Sequence, residues 1–326
     1  MSGILEADNV PERRGVYLLT HPRSASNLLQ TMMEKQPGYQ NSEYKLFDAG
    51  FATLNQLQRG PLSEWPEEDR KDLLDKFTAG WDSLQDEIAN ANKNGLQAFI
   101  KEHTHFLRDP TKFFSALYPT DTPNLPSLNL HERNVPPSTS ARTNPTSLPD
   151  SFLLSMQPIF QIRHPALMFP SMYRALKTRF VQTTSEPLVA AILTLSHSRA
   201  LYDWYTTHAP ASRLPRVIDA DDIMNSPAAV RRLCEQTGLS AEHVLYEWDE
   251  RAAEDPVKKV FLSTIYASKG IVKGKDASAL NVAAEREKWV GEWGVDDAQG
   301  IARFVDEAMA DYEYLHSRRT TGSSVA

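Results

Sequence analysis

Four short runs of apolar and β-branched residues, Val16 to Thr20, Gln97 to Lys101, Pro158 to Arg163 and Arg216 to Ala220, punctuate the chain and have helical patterns between them. Runs of this length without strict alternation suit strands covered on both faces, the habit of parallel sheets. Leu28 to Lys35 takes helical spacing directly after the first run. Pro66 to Asn92 precedes the second, with Trp65, Leu73, Leu74, Phe77, Trp81, Leu84 and Ile88 setting an amphipathic repeat. Such alternation predicts an α/β fold, a three-layer parallel sheet flanked by helices with right-handed crossovers, whose ligands bind beyond the carboxyl ends of the strands.

A length of 326 residues allows two average domains or one large one. The order of elements reads as one domain over 16–318, with an N-terminal arm at 1–15 and a disordered tail at 319–326. Residues 119–150 are rich in Pro, Ser, Thr and Asn, with Pro136-Pro137 and Asn144-Pro145 as punctuation. Such a stretch within a domain is either a substrate-facing lid or a plain excursion.

At 41% hydrophobic and 24% charged residues the chain is too apolar for global disorder. Its net charge of −7 speaks against a dedicated nucleic-acid binder, which needs clustered Lys and Arg, so any anionic ligand must sit in a local pocket. Cys234 is the only cysteine, so no intramolecular disulfide forms; a reducing, cytoplasmic setting and a packed core thiol are expected. No signal-length apolar run opens the chain and nowhere do 18 uncharged apolar residues stand together, so a soluble protein without a membrane partner is expected.

After the first run the chain reads Thr20-His21-Pro22-Arg23-Ser24-Ala25-Ser26-Asn27 and turns at once into Leu28-Leu29-Gln30-Thr31-Met32-Met33. A strand-to-helix turn directs backbone N–H groups and the positive helix end at one place, where a phosphate or sulfate group fits. Arg23 adds a positive fork, and Ser24 and Ser26 add hydroxyl donors. Taken alone, the segment is equally a plain helix start capped by Ser24 or Ser26. The Walker pattern and the Gly-x-Gly-x-x-Gly fingerprint are both absent, which disfavours an ATPase or a Rossmann dehydrogenase.

Pro22-Arg23-Ser24-Ala25-Ser26 resembles the 5′-phosphosulfate loop of the P-loop-type sulfotransferases. Ile162-Arg163-His164-Pro165 with Ser171 looks like that family's 3′-phosphate motif, and Lys101-Glu102-His103 is similar to its Lys-x-His motif. Val217 to Ile223, then Pro227 and Cys234 to Leu239, resembles the strand, acidic turn and helix that close its sheet; Ser268-Lys269-Gly270 and Lys273-Gly274-Lys275 loosely match its basic loop. The flavour is that of divergent fungal sulfotransferase-like proteins. The resemblance implies a PAPS-dependent transferase, with 3′-phosphoadenosine 5′-phosphosulfate as co-substrate and no metal. It implies nucleotide contacts from Pro22 to Asn27 and from Arg163, Ser171, Lys269 and Gly270. Catalysis would fall to His103 as general base with Arg23 and Lys101 as cations. The partner is then a small-molecule acceptor, bound by a monomer or homodimer and drawn in by Tyr39 to Phe51, parts of 60–85 and the 119–150 stretch.

Sulfuryl transfer needs positive charge on the bridging oxygen and a base for the acceptor; an imidazole titrating near pH 6.5 supplies the second. His105 is the rival base, on the same face if the strand continues. Glu102 either orients His103 or faces away, and alternation favours the latter. His21 either touches the phosphosulfate or makes a structural bond. His164 shapes the strand exit, and His197 and His208 read as packing or surface residues. No Cys/His cluster has zinc spacing, and Asp219, Asp221 and Asp222 are explained by a capped turn. Ala25 and Asn27 depart from the family pattern, and Pro170 stands before Ser171 in a helical stretch where proline costs about 3 kcal/mol. These departures leave open another reaction on a diphosphate or other anion in the same cradle, or a non-catalytic nucleotide binder.

Overall fold

The computed structural model describes residues 12–119, 128, 130–133, 135, 142–251, 262 and 264–322. In chain order its elements are β1 (Gly15–Thr20), α1 (Ser26–Met32), β2 (Tyr39–Ser42), α2 (Phe47–Asn55), α3 (Glu67–Lys93), β3 (Gln97–His103), α4 (Pro110–Leu117), α5 (Asp150–Ser155), β4 (Met156–Ile162), α6 (Pro165–Lys177), α7 (Pro187–Ile192), α8 (Ser196–His208), β5 (Arg216–Asp219), α9 (Ala220–Asn225), α10 (Pro227–Thr237), α11 (Val282–Trp293) and α12 (Val295–His316). The strands form one five-stranded parallel sheet in the order β2-β3-β1-β4-β5, flanked by helices. The chain leaves β1 toward β3 and β2, then continues from β4 toward β5, so the order reverses between β1 and β4. In open α/β sheets that reversal is where ligands bind, beyond the carboxyl ends.

The four apolar runs all become strands, with shifted ends. β3 continues two residues past Lys101 to His103, and β5 stops at Asp219 because that side chain caps α9, accepting from the Asp221 N–H at 2.8 Å. β2 has no counterpart in the sequence reading. Its Tyr-Gln-Asn-Ser sequence buries only Ser42, as suits an edge strand, and it pairs in parallel with β3 from Tyr39↔Gln97 to Ser42↔Ile100. α1 is shorter than the Leu28 to Lys35 pattern, whereas α3 matches its amphipathic repeat, with Glu67, Glu68 and Asp69 at its positive end and Lys93 in its last turn.

Two compact units partition the chain. The first comprises Met1–Leu19, Gly38–Pro158 and His197–Pro215. Its core joins Tyr17 edge-on to Phe152 at 5.8 Å and Phe152 to Trp81 at 5.1 Å. The described part of the N-terminal arm is tied down in this unit: the Arg14 N–H donates to Ser155 O and the Arg14 side chain pairs with Glu132. Of the 119–150 stretch, residues 120–127, 129, 134 and 136–141 lie outside the described residues. Its last part is ordered by the fully buried Asn144, whose carbonyl accepts from the Thr146 N–H and whose amide donates to Leu148 O, and by an Arg142–Asp109 ion pair.

The second unit comprises Thr20–Pro37, Ile159–Ser196 and Arg216–Ala326. α6 starts at a cap formed by His164 Nδ1 on the Ala166 N–H and runs through Pro170 without ending. Its Tyr173 hydroxyl donates to Asp297 of α12, which also pairs with Lys177. Of the expected tail, residues 323–326 lie outside the described residues, while Thr320 N–H donates to Val217 O of β5 and Arg319 pairs with Asp222. Among the described residues no helix is long and apolar enough to cross a membrane.

Gly50 lies inside α2, where intrinsic propensity favours alanine by roughly 1 kcal/mol. A Cβ there would come within 2.5 Å of Phe106 Cα, and backbone cannot move aside cheaply. Overpacking of this kind costs about 1–3 kcal/mol, so Gly50→Ala is expected to lower the urea midpoint despite its better propensity. A raised midpoint would show that α2 shifts freely.

Candidate active site

β1 is buried along its whole length and delivers the chain into the Thr20 to Asn27 turn. The turn closes on itself: Ser24 donates through both N–H and Oγ to His21 O, at 3.2 and 2.7 Å. Ser24 therefore contributes its hydroxyl to the turn itself, and Ser26 is buried beside it. His21 braces the turn from below, with Nδ1 2.8 Å from Pro22 O and Nε2 2.7 Å from Ile192 O. Burial lowers its pKa, and the two carbonyls offset that in part. Two non-glycine residues take left-handed backbone, Arg23 at φ 66° and Ala25 at φ 64°, ψ 26°. Ala25 is also the N-cap of α1; it makes no side-chain capping bond, and its carbonyl accepts from the Leu28 N–H at 3.0 Å.

The turn is where two arginines meet. Arg23 Nε donates to Ser171 Oγ at 2.9 Å, and Arg163 Nη1 donates to the Arg23 carbonyl at 2.9 Å. Pro170 has thus not turned Ser171 away. Arg163 Nη2 reaches Lys275 O at 2.5 Å, while its Nε is buried with no hydrogen-bond partner among the described residues. Burial, then the Arg163 charge, lowers the Arg23 pKa. Burial lowers that of Arg163 too, against Asp221, Asp219 and Asp276. Two part-buried cations held this way favour an anion between them. Gln161, at the end of β4, fixes the turn by donating to Ser24 O at 2.6 Å. Lys269 and Gly270 are placed differently: Lys269 Nζ lies 3.9 Å from Glu250, and Gly270 pairs with Glu247.

In the first unit the carboxyl end of β3 carries Lys101, Glu102 and His103, all buried. Glu102 is turned to residues 45 and 46. Its Oε1 accepts the N–H groups of Lys45 and Leu46, the latter at 2.9 Å. Burial pushes its pKa up to about 7, against those two N–H bonds and the Lys101 charge. His103 Nε2 lies 2.9 Å from the Tyr44 hydroxyl, and Lys101 Nζ stands 4.6 Å from the centre of the Tyr44 ring. His105 follows on a 3₁₀ turn, Thr104–Leu107, rather than on the strand; its ring stacks on His103 at 5.5 Å and 17°.

No protein-family profile matches the chain. Over 93% of its length it is 34% identical to the "Sulfotransferase ppzF" of Metarhizium majus (strain ARSEF 297), covering 96% of that protein, and 32% identical to the protein of the same name from Metarhizium rileyi (strain RCEF 4871), covering 95%. The chain belongs to the sulfotransferase family. Among solved structures, the sulfotransferase domain from the curacin biosynthetic pathway aligns with 86% of the chain at 14% identity and a TM-score of 0.45, covering 97% of that domain. The domain from the Synechococcus PCC 7002 olefin synthase aligns with 91% at 14% identity and a TM-score of 0.43, covering 94% of it.

Within this sulfotransferase, the acidic residues after β5 serve the backbone: Asp219 also accepts from the Tyr312 hydroxyl at 3.1 Å, and Asp221 accepts from the Ala277 N–H. Among the described residues no three His, Cys, Asp or Glu side chains gather as metal ligands. Cys234 is buried and its thiol pKa is pushed up to about 12, which leaves it a poor nucleophile. Sequence reasoning missed Tyr44 and Gln161. Tyr44 fell inside a segment assigned to acceptor lining, and Gln161 within an apolar run.

Left-handed backbone costs a non-glycine residue roughly 1–2 kcal/mol, and glycine's extra unfolded-state entropy offsets about half of that. Ala25→Gly is therefore expected to raise stability by about 0.5–1 kcal/mol in urea unfolding; a loss would mean that the Ala25 methyl packs favourably.

The folded-state pKa of Glu102 lies above its unfolded value, so its contribution to stability is fully present below about pH 4.5 and is lost as pH rises through about 7. Glu102→Gln keeps an oxygen for both N–H groups and cannot ionise. Between pH 5 and 8 the wild-type enzyme is expected to lose more stability than this variant, by up to about 3 kcal/mol. Parallel losses would show that Glu102 stays ionised.

Proposed function

We propose that this sulfotransferase moves a sulfuryl group from 3′-phosphoadenosine 5′-phosphosulfate to a hydroxyl or amine of a small-molecule acceptor. The observation that supports this most is the meeting of Arg23 and Arg163 on one buried turn, with Ser171 on the first and the Arg23 carbonyl on the second. Two guanidiniums suit a donor that carries two anionic groups on one nucleotide. The acceptor oxygen attacks sulfur, the bond from sulfur to the bridging phosphate oxygen breaks, and its electron pair leaves with the nucleotide. Arg23 and the backbone of Ser24 to Asn27 stabilise that charge, with Lys101 as a second cation. The acceptor's proton passes to His103.

Titration calorimetry tests the donor assignment. Tight 1:1 binding of 3′-phosphoadenosine 5′-phosphate is expected. Arg163→Ala should weaken it far more than it weakens adenosine 5′-phosphate, by roughly 10-fold or more for a lost charge-assisted contact. Equal weakening of both nucleotides would take Arg163 away from the 3′-phosphate.

A further inference from the structure

Three successive residues at the end of β3 grip one short segment, 44–46, each in a different way. Glu102 takes the N–H groups of Lys45 and Leu46, the Lys101 ammonium stands 4.6 Å from the Tyr44 ring centre, and His103 Nε2 meets the Tyr44 hydroxyl at 2.9 Å. Lys45 is anchored again by Glu87 of α3 at 2.8 Å. The backbone that follows the tyrosine is therefore held and its ring lies against Lys101, so its hydroxyl reaches the imidazole with little further ordering.

The burial of the pair is uneven. His103 is 8% exposed, with the rings of Tyr44 at 4.7 Å and of His105 and Phe106 at 5.5 Å around it. Tyr44 is only half-buried, and so is more exposed than the imidazole it bonds. A base so enclosed, with the nitrogen nearest its more exposed neighbour already bonded, exchanges protons through that neighbour most directly.

We propose that Tyr44 is a catalytic residue that relays the acceptor's proton to His103. This rests on the reading of His103 as the base. In the resting enzyme the Tyr44 O–H donates into the Nε2 lone pair, and the neutral ring carries its proton on Nδ1. As the acceptor oxygen bonds to sulfur, its proton moves to the Tyr44 oxygen and the Tyr44 proton moves to Nε2. The tyrosine ends neutral, the imidazole ends as imidazolium, and the electron pair of the broken sulfur–oxygen bond leaves with the phosphate. Among the described residues Lys101 and His105 stand beside this pair, with Lys45 and Glu102 next to them in the chain, and none needs to change its proton in the step.

Two measurements test the relay. The first is turnover with simple phenols as acceptors for Tyr44→Phe, His103→Ala and the double variant. Tyr44→Phe keeps the ring and should keep donor affinity and thermal stability, yet lower kcat by about 10² or more, the span of a lost acid–base group. Because the two groups act on one proton path, the double variant should be no slower than the slower single one. Full activity of Tyr44→Phe alongside an inactive His103→Ala would overturn the relay and leave the base assignment standing. Full activity of His103→Ala would overturn both. The second is nitrogen NMR of the histidine ring in the ligand-free enzyme at neutral pH, which needs no acceptor. Nε2 is expected to be unprotonated and to change on Tyr44→Phe; a protonated Nε2 in the wild type would sink the relay.

Discussion

The hydrogen bond from Arg163 to the backbone carbonyl of Arg23 holds the strand end of β4 to the turn that follows β1, the two strands between which the sheet reverses its order. It does so with a guanidinium whose own charge is part-buried and close to that of Arg23. Ser171 and Gln161 add neutral bonds to the same turn, from α6 and β4. The turn is thus shaped by groups that are themselves candidates for ligand contact. Loss of Arg163 would change both the shape and the charge of the turn, whereas loss of Ser171 or Gln161 would change its shape alone.

Left-handed backbone at Arg23 and Ala25 fits this arrangement. Such conformations in non-glycine residues persist where surroundings over-determine them, and here His21, Ser24, Gln161 and Arg163 all bond to the turn. A methyl at position 25 makes the turn costlier but also stiffer in the unfolded-state sense, since alanine has fewer conformations to lose than glycine.

Much of this was legible in the sequence because it rests on local pattern. The buried strands are continuous apolar runs, α3 has a clear 3.6-residue period, and the Pro-Arg-Ser turn sits between a strand and a helix. What escaped depends on contacts across the chain. β2 is polar and becomes a strand only by pairing with β3, so no period marked it. Tyr44 gains its meaning from His103, 59 residues away, and Gln161 from Ser24 at a separation of 137. The condition set for His105, that the strand continue, is not met, because the chain turns into a 3₁₀ helix at Thr104.

The short segment after α12 bears on an open edge of the sheet. β5 is the last strand of the sheet, and its outer edge would present open N–H and C=O groups to any passing strand. Thr320 covers part of that edge by donating to Val217 O, Arg319 bridges alongside it, and the Arg319 guanidinium is pinned by Asp222. The start of the stretch read from the sequence as a disordered tail thus occupies part of that edge, and fewer backbone groups of β5 are left open there.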